Sequence, residues 1–294
     1  MREPASVSTM LTQRVADWRD TVATILVWSS ALLITATFFW ILGDLLLRGL
    51  PHLSFEFLFD TPMDAGRAGG IASILVSTLL ILLVCMTVSI PLGIGTAVLL
   101  AEFSRHNHFF GRGVRVSLDV LAGVPSIVFG LFGNAFFSLY LGMGFSILSG
   151  GLTLACMVLP LLIRSTETAL RAVPDDFRRA AAALGLPVIT TLWRILLPAA
   201  APGVIAGLVL GIARALAETA ALLYTSGYVD RMPGSLLDSG RSLSIHIYDL
   251  AMNVPGAEGN ASASALVLIL LLLIINVLTF RLVDGWLHQR ITPH

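Results

Sequence analysis

The 294-residue chain is 56% apolar and only 12% charged, with a mean hydropathy of +0.88. A soluble domain carries about twice that charged fraction to keep its surface hydrated, so the outer surface of this fold is expected to face lipid. Its 18 basic and 18 acidic residues cancel, which leaves a nucleic-acid or other polyanion-binding role without bulk electrostatic support.

A membrane helix needs about 20 mostly apolar residues. After an N-terminal segment of residues 1–20, Thr21 to Gly43 supplies the first such run, extending to about residue 47. It is too long for a signal-peptide core and no small-residue cleavage site follows, so it is expected to be retained. Ile71 to Ala101 is free of charge and contains Pro91, which kinks a membrane helix without ending it; this is the second span. Cys85 here and Cys156 further on lie in apolar runs, where a thiol is a small hydrophobe, and no disulfide or zinc spacing accompanies them. His106 and His108 form an isolated H-x-H in the next loop and are expected to be a solvated turn. Val120 to Ile163 contains no formal charge and is about twice the length of one crossing, so it must fold back on itself. Gly142, Gly144, Gly150 and Gly151 place the reversal between Leu141 and Gly151, giving spans over 118–140 and 150–166. Gly123, Pro125, Gly130 and Gly133 interrupt the first of these and are candidates for a gate or for close packing. The fifth span is expected over 198–226, interrupted by Arg214 and Glu218, and the sixth over 261–284, with a tail from 289. The expected fold class is all-α: a polytopic membrane protein of six helices.

Every basic residue is arginine. Thirteen of them (Arg2, Arg14, Arg19, Arg105, Arg112, Arg115, Arg164, Arg171, Arg178, Arg179, Arg194, Arg281, Arg290) fall on one side of the six-span scheme. Arg48, Arg67, Arg231 and Arg241 fall on the other. The bias predicts cytoplasmic termini.

Between the fourth and fifth spans, residues 167–197 are basic yet built as a docking helix. Pro174, Asp175 and Asp176 form a start signal and Gly185 with Pro187 a stop signal. The short helix between them cannot span a membrane and needs packing against a partner to persist. Arg179-A-A-A-A-L-Gly185, nine residues, and then Ile195-L-L-Pro198 resembles the EAA loop of ABC importer permeases, E-A-A-x3-G-x9-I-x-L-P, to the residue. The resemblance implies the type I importer permease fold, with Asp175, Asp176, Arg179, Ala180, Ala181 and Gly185 on a cytoplasmic coupling helix that seats in a separate ATPase. Arg179 departs from the pattern by replacing its glutamate, so an acidic residue is expected on the ATPase, or Asp175 or Asp176 neutralises Arg179 within the helix.

Leu121 to Gly133 (L-A-G-V-P-S-I-V-F-G-L-F-G) and Gly211 to Tyr224 (G-I-A-R-A-L-A-E-T-A-A-L-L-Y) are similar to stretches of phosphate-specific permeases, A-type subunit, in which no large N-terminal insertion is present. That resemblance implies inorganic phosphate as cargo and an inner-membrane location. Its implied partners are membrane lipid, an ABC ATPase dimer, a C-type sister permease and an extracytoplasmic phosphate-binding protein. No cofactor is expected in this chain, because ATP and magnesium belong to the ATPase, and no nucleic acid. Gly203, Gly207, Gly211, Arg214 and Glu218 fall within an arc of about 80° on an ideal helix. That face is expected against a partner subunit and along a central pathway. Arg164 and Glu167 form a second pair, about 20 Å below the outer surface by helix rise. The two pairs are expected to be successive phosphate stations, each arginine holding the oxyanion and each glutamate neutralising it when empty. The absence of a Walker A loop, a Gly-x-Ser-x-Gly elbow or a His-Glu-x-x-His motif argues against an enzyme. The alternatives are a permease for another oxyanion or phosphonate and an ATPase-independent transporter or channel.

Overall fold

The computed structural model describes residues 18–104 and 109–291. His106, His108, Arg105, Arg2 and Arg14 lie outside the described residues. Two units divide the chain after Leu47. Among the described residues the first consists of the apolar helix α1 (Trp18–Gly49) as far as Leu47.

In the second unit a 3-10 turn at Leu50–His52 precedes α2 (Phe55–Phe59), started by Ser54, whose hydroxyl accepts the Phe57 N–H. A two-residue antiparallel hairpin follows, β1 (Pro62–Met63) on β2 (Ala68–Gly69). The fold is otherwise helical, as expected, and this hairpin is too short to leave a period in the sequence. Its turn places Asp64 and Ala65 in the left-handed region at φ 48° and 56°, which costs a residue with a Cβ about 1 kcal/mol or more. The Asn260 side-chain amide holds the turn by donating to the Gly66 and Arg67 carbonyls, both at 2.9 Å.

The long elements are α3 (Ala72–Val98), continued by a π turn at Leu99–Phe103, and α4 (Phe109–Ala122). Next come α5 (Ser126–Gly133) with a π turn at Asn134–Tyr140, and α6 (Ile147–Ala172). The short α7 (Asp175–Ala183) and α8 (Val188–Thr191) lead through a π turn at Leu192–Leu196 into α9 (Leu197–Ala217). The chain closes with α10 (Ala220–Leu223), α11 (Leu243–Met252) and α12 (Glu258–Ile291). Among the described residues five helical runs are long and apolar enough to cross a membrane, and a sixth exists if α4 and α5, bent by 102°, count as one.

Three boundaries differ from expectation. The span placed at 118–140 breaks at Gly123–Pro125, because Pro125 has no N–H to continue the ladder and instead N-caps α5. The fifth span starts ten residues early, at Val188; Pro198 joins it without a break because the preceding π turn shifts the hydrogen-bond register ahead of the residue that cannot donate. It also ends early, at Ala217, where Glu218 turns extended at ψ 125°.

The buried axis of this unit is α6, which packs against α3 and α9. Ile81 and Cys85 of α3, Leu154 and Val158 of α6, and Ile212 and Leu216 of α9 share one core. Close approach explains the glycines there: a Cβ at Gly151 would lie 2.5 Å from Val84, so only hydrogen fits.

Candidate functional site

At the end of the second unit where α7 lies, the sequence places ionisable residues on four elements that meet. Glu167, near the end of α6 and 5% exposed at its side chain, accepts from Arg115 Nε of α4 at 2.9 Å and from Arg171 Nε at 3.0 Å. Its second oxygen, Oε2, lies 3.7 Å from the Arg164 guanidinium and accepts no hydrogen bond among the described residues. Arg164 also donates to Asp119 and, at 3.0 Å, to the Arg115 carbonyl. The π turn ending α3 frees carbonyls that the helical ladder no longer uses; Leu100 O accepts from Arg115 at 3.2 Å and from Arg171 at 2.9 Å.

The second half of the cluster is Arg178 of α7. It grips Glu102, on the same π turn, with two parallel bonds of 3.0 and 2.6 Å. It also donates to the carbonyls of Leu170 and Val173, each at 2.9 Å, and to Asp175 at 3.3 Å. The bidentate bond to Glu102 pushes the Arg178 guanidinium above its ordinary, already high pKa, so it stays charged at every pH the protein meets. Arg178 and Glu102 line one wall of a cleft of about 170 Å³, closed otherwise by Phe103, Leu186, Val188 and Leu192.

The EAA-type residues sit on α7 as its local chemistry requires. Pro174 precedes the helix, Asp175 and Asp176 fill its first turn, and Gly185 ends it at φ +67°. Ala181 is buried, whereas Phe177, Arg179, Ala180 and Leu184 are exposed. Arg179 is 77% exposed and pairs with Asp176 one turn earlier at 3.0 Å, so this helix neutralises the charge that departs from the pattern.

The glycine face of α9 is corrected. Gly203, Gly207 and Gly211 meet Ala169, Ser165 and Val158 of α6 in the same chain, and a Cβ at each would come within 2.5, 2.7 and 2.9 Å. These glycines serve an internal interface, not a partner subunit. The Arg214–Glu218 pair is corrected too: because α9 ends at Ala217, Glu218 swings away and accepts the Ala221 N–H at 3.3 Å. Arg214 is exposed on α9 and makes no ion pair or hydrogen bond among the described residues. Gly123 and Pro125 lie at the elbow before α5, and α5 packs through Gly130 on the backbone of α10.

Sequence reasoning found Arg164 and Glu167 but missed Arg115, Asp119, Arg171, Glu102 and Arg178. Arg171, four residues after Glu167, was legible as a helical pair. Glu102 follows directly on the neutral run Ile71 to Ala101, but no spacing in the sequence ties it to Arg178.

A family model described as the binding-protein-dependent transport system inner membrane component matches residues 89–293. The chain is 32% identical to the probable ABC transporter permease protein YqgI of Bacillus subtilis over 92% of its own length and 96% of that protein. It is 37% identical to the phosphate transport system permease protein PstA of Mycobacterium leprae, over 78% of this chain and 77% of that one. Among solved structures, a bacterial ABC transporter involved in import of the acidic polysaccharide alginate superposes with a TM-score of 0.58 at 16% identity, over 91% of this chain and 98% of that one. The inward-facing MetNI methionine ABC transporter gives 0.56 at 18% identity, over 74% and 94%. At these identities the two structures share its fold.

Proposed function

The chain belongs to the binding-protein-dependent transport system inner membrane component family, and from that membership we propose that it is the subunit through which an ATP-driven importer passes inorganic phosphate. It is a multi-pass membrane transport component and not an enzyme. The observation that carries the mechanism is α7: a capped, nine-residue helix with exposed Phe177, Ala180 and Leu184, standing between two long apolar helices at the spacing of the EAA loop. Such a helix gives a separate ATPase dimer, holding ATP and magnesium, a peg to push. The cytoplasmic face is the α7 end, in line with the arginine bias, and both termini lie on that side.

Phosphate as cargo is supported by the relatives named phosphate transport system permease proteins and by arginine chemistry. Arg214, exposed and without an ion pair among the described residues, is the group that meets the ion in transit, because two parallel charge-assisted bonds suit a tetrahedral oxyanion. Arg164 and Glu167, tied to Arg115, Asp119 and Arg171, hold the inner end in shape and let the ion leave. A sister permease of the C type completes the pathway, and an extracytoplasmic phosphate-binding protein delivers the ion.

The test is uptake of labelled phosphate into proteoliposomes holding the whole complex with its binding protein. Uptake is expected to need ATP and to resist excess sulfate or phosphonate. Arg214→Ala, with assembly intact, is expected to lower it on the order of tenfold or more, the worth of one charge-assisted hydrogen bond to an ion. Equal competition by another oxyanion would reassign the cargo, and uptake without the ATPase would overturn the importer reading.

A further inference from the structure

The cluster at the α7 end contains a joint that the EAA pattern does not describe. An arginine side chain has five N–H donors, and at Arg178 all five find acceptors. Two go to Glu102 at the end of α3, one each to the Leu170 and Val173 carbonyls where α6 ends, and one to Asp175 at the start of α7. Both partners of the ion pair are largely buried, each side chain 14% exposed. The covalent link from α6 to α7 is only Val173 and Pro174, two extended residues with no helical hydrogen bond across them. Without Arg178 a push on α7 would be absorbed by rotation at that link.

We propose that Arg178 and Glu102 are positioning residues that lock α7 to the inner ends of α3 and α6, so that these three elements move as one body when the ATPase closes. The proposal rests on the reading of α7 as the ATPase's seat. The Arg178 guanidinium binds neither ATP nor phosphate; it converts a flexible tether into a lever. A lysine, with three donors on one point charge, cannot make the parallel pair of bonds to Glu102 and still reach both carbonyls and Asp175.

The experiment uses the complete complex in proteoliposomes and reads phosphate imported per ATP hydrolysed. Arg178→Lys and Glu102→Gln are each expected to lower that ratio by tenfold or more while the ATPase still co-purifies. A second arm carries Glu102→Cys with Arg178→Cys on a background of Cys85→Ala and Cys156→Ala. Reduced, this complex is expected to be uncoupled; bridged by a short bis-methanethiosulfonate linker, it is expected to recover coupled import. Unchanged ratios in the single variants would overturn the proposal. So would a bridged complex that assembles yet stays uncoupled, and this arm decides even where the single variants fold poorly. The underlying reading is checked separately by cross-linking Ala180→Cys to the ATPase: no cross-link there removes the seat itself, whatever the ratios show.

Discussion

His246, on α11, shows how one buried side chain ties the stability of this protein to pH. It is 1% exposed, and burial, reinforced by the Arg241 guanidinium 3.5 Å from its Nδ1, pushes its pKa down to about 4, although Asp249 and Asp230 oppose the shift. The native state therefore holds a neutral ring, while the unfolded chain takes up a proton near 6.5. Stability is complete above that value and is lost as pH falls towards about 4, an effect of about 3 kcal/mol at its limit. Thermal unfolding in detergent should show the midpoint falling over this window, and His246→Gln should flatten that slope; a wild-type midpoint that holds steady from pH 6.5 to 4 contradicts the assignment. None of this was legible from the chain, because the ring's surroundings are chosen by packing: a Cβ at Gly66, distant in sequence, would lie 3.1 Å from the ring, and Arg241 is held by Asp249 at 3.2 Å.

Among the elements, α6 and α9 illustrate what spacing reveals and what it hides. Glycines at every fourth residue of α9 announce a close helix neighbour, but the identity of that neighbour depends on which long helix lies alongside, and the chain itself supplies it. Gly207→Leu is expected to force α9 off α6, since even its first carbon would sit 2.7 Å from Ser165; overpacking of this kind costs about 1–3 kcal/mol. A lower yield of folded protein and a depressed unfolding temperature would check it, and an unchanged midpoint would mean that the helices can separate freely. Element ends were the least legible. Glu218 lies on the α9 face only if the helix continues, and Ala217 ends it for reasons of tertiary fit: the Glu218 carbonyl accepts from Ser244 at 2.6 Å. The elbow at Pro125 was visible as a breaker, whereas its angle of 102° was not.

At the scale of the whole molecule, most of the plan follows from long neutral runs and from one spaced motif. The α7 helix, its proline start and its glycine stop could be read directly, because capping is local chemistry. The network behind it could not: Arg115 reaches Glu167 across 52 residues and Arg178 reaches Glu102 across 76, separations at which a sequence carries no periodic signal. The motif drew attention to Arg179, yet the structure gives the ties between elements to its neighbour. These two arginines, adjacent and chemically identical, are consequently expected to part company when every amino acid is tried at each site. Growth on limiting phosphate should tolerate almost any choice at 179, whose guanidinium projects outward and, among the described residues, pairs with Asp176. At 178 it should tolerate none, since no other side chain is both planar and five times a donor. If 179 proves the intolerant one, the ATPase reads that charge directly, and the force enters through the outward face instead of the buried one.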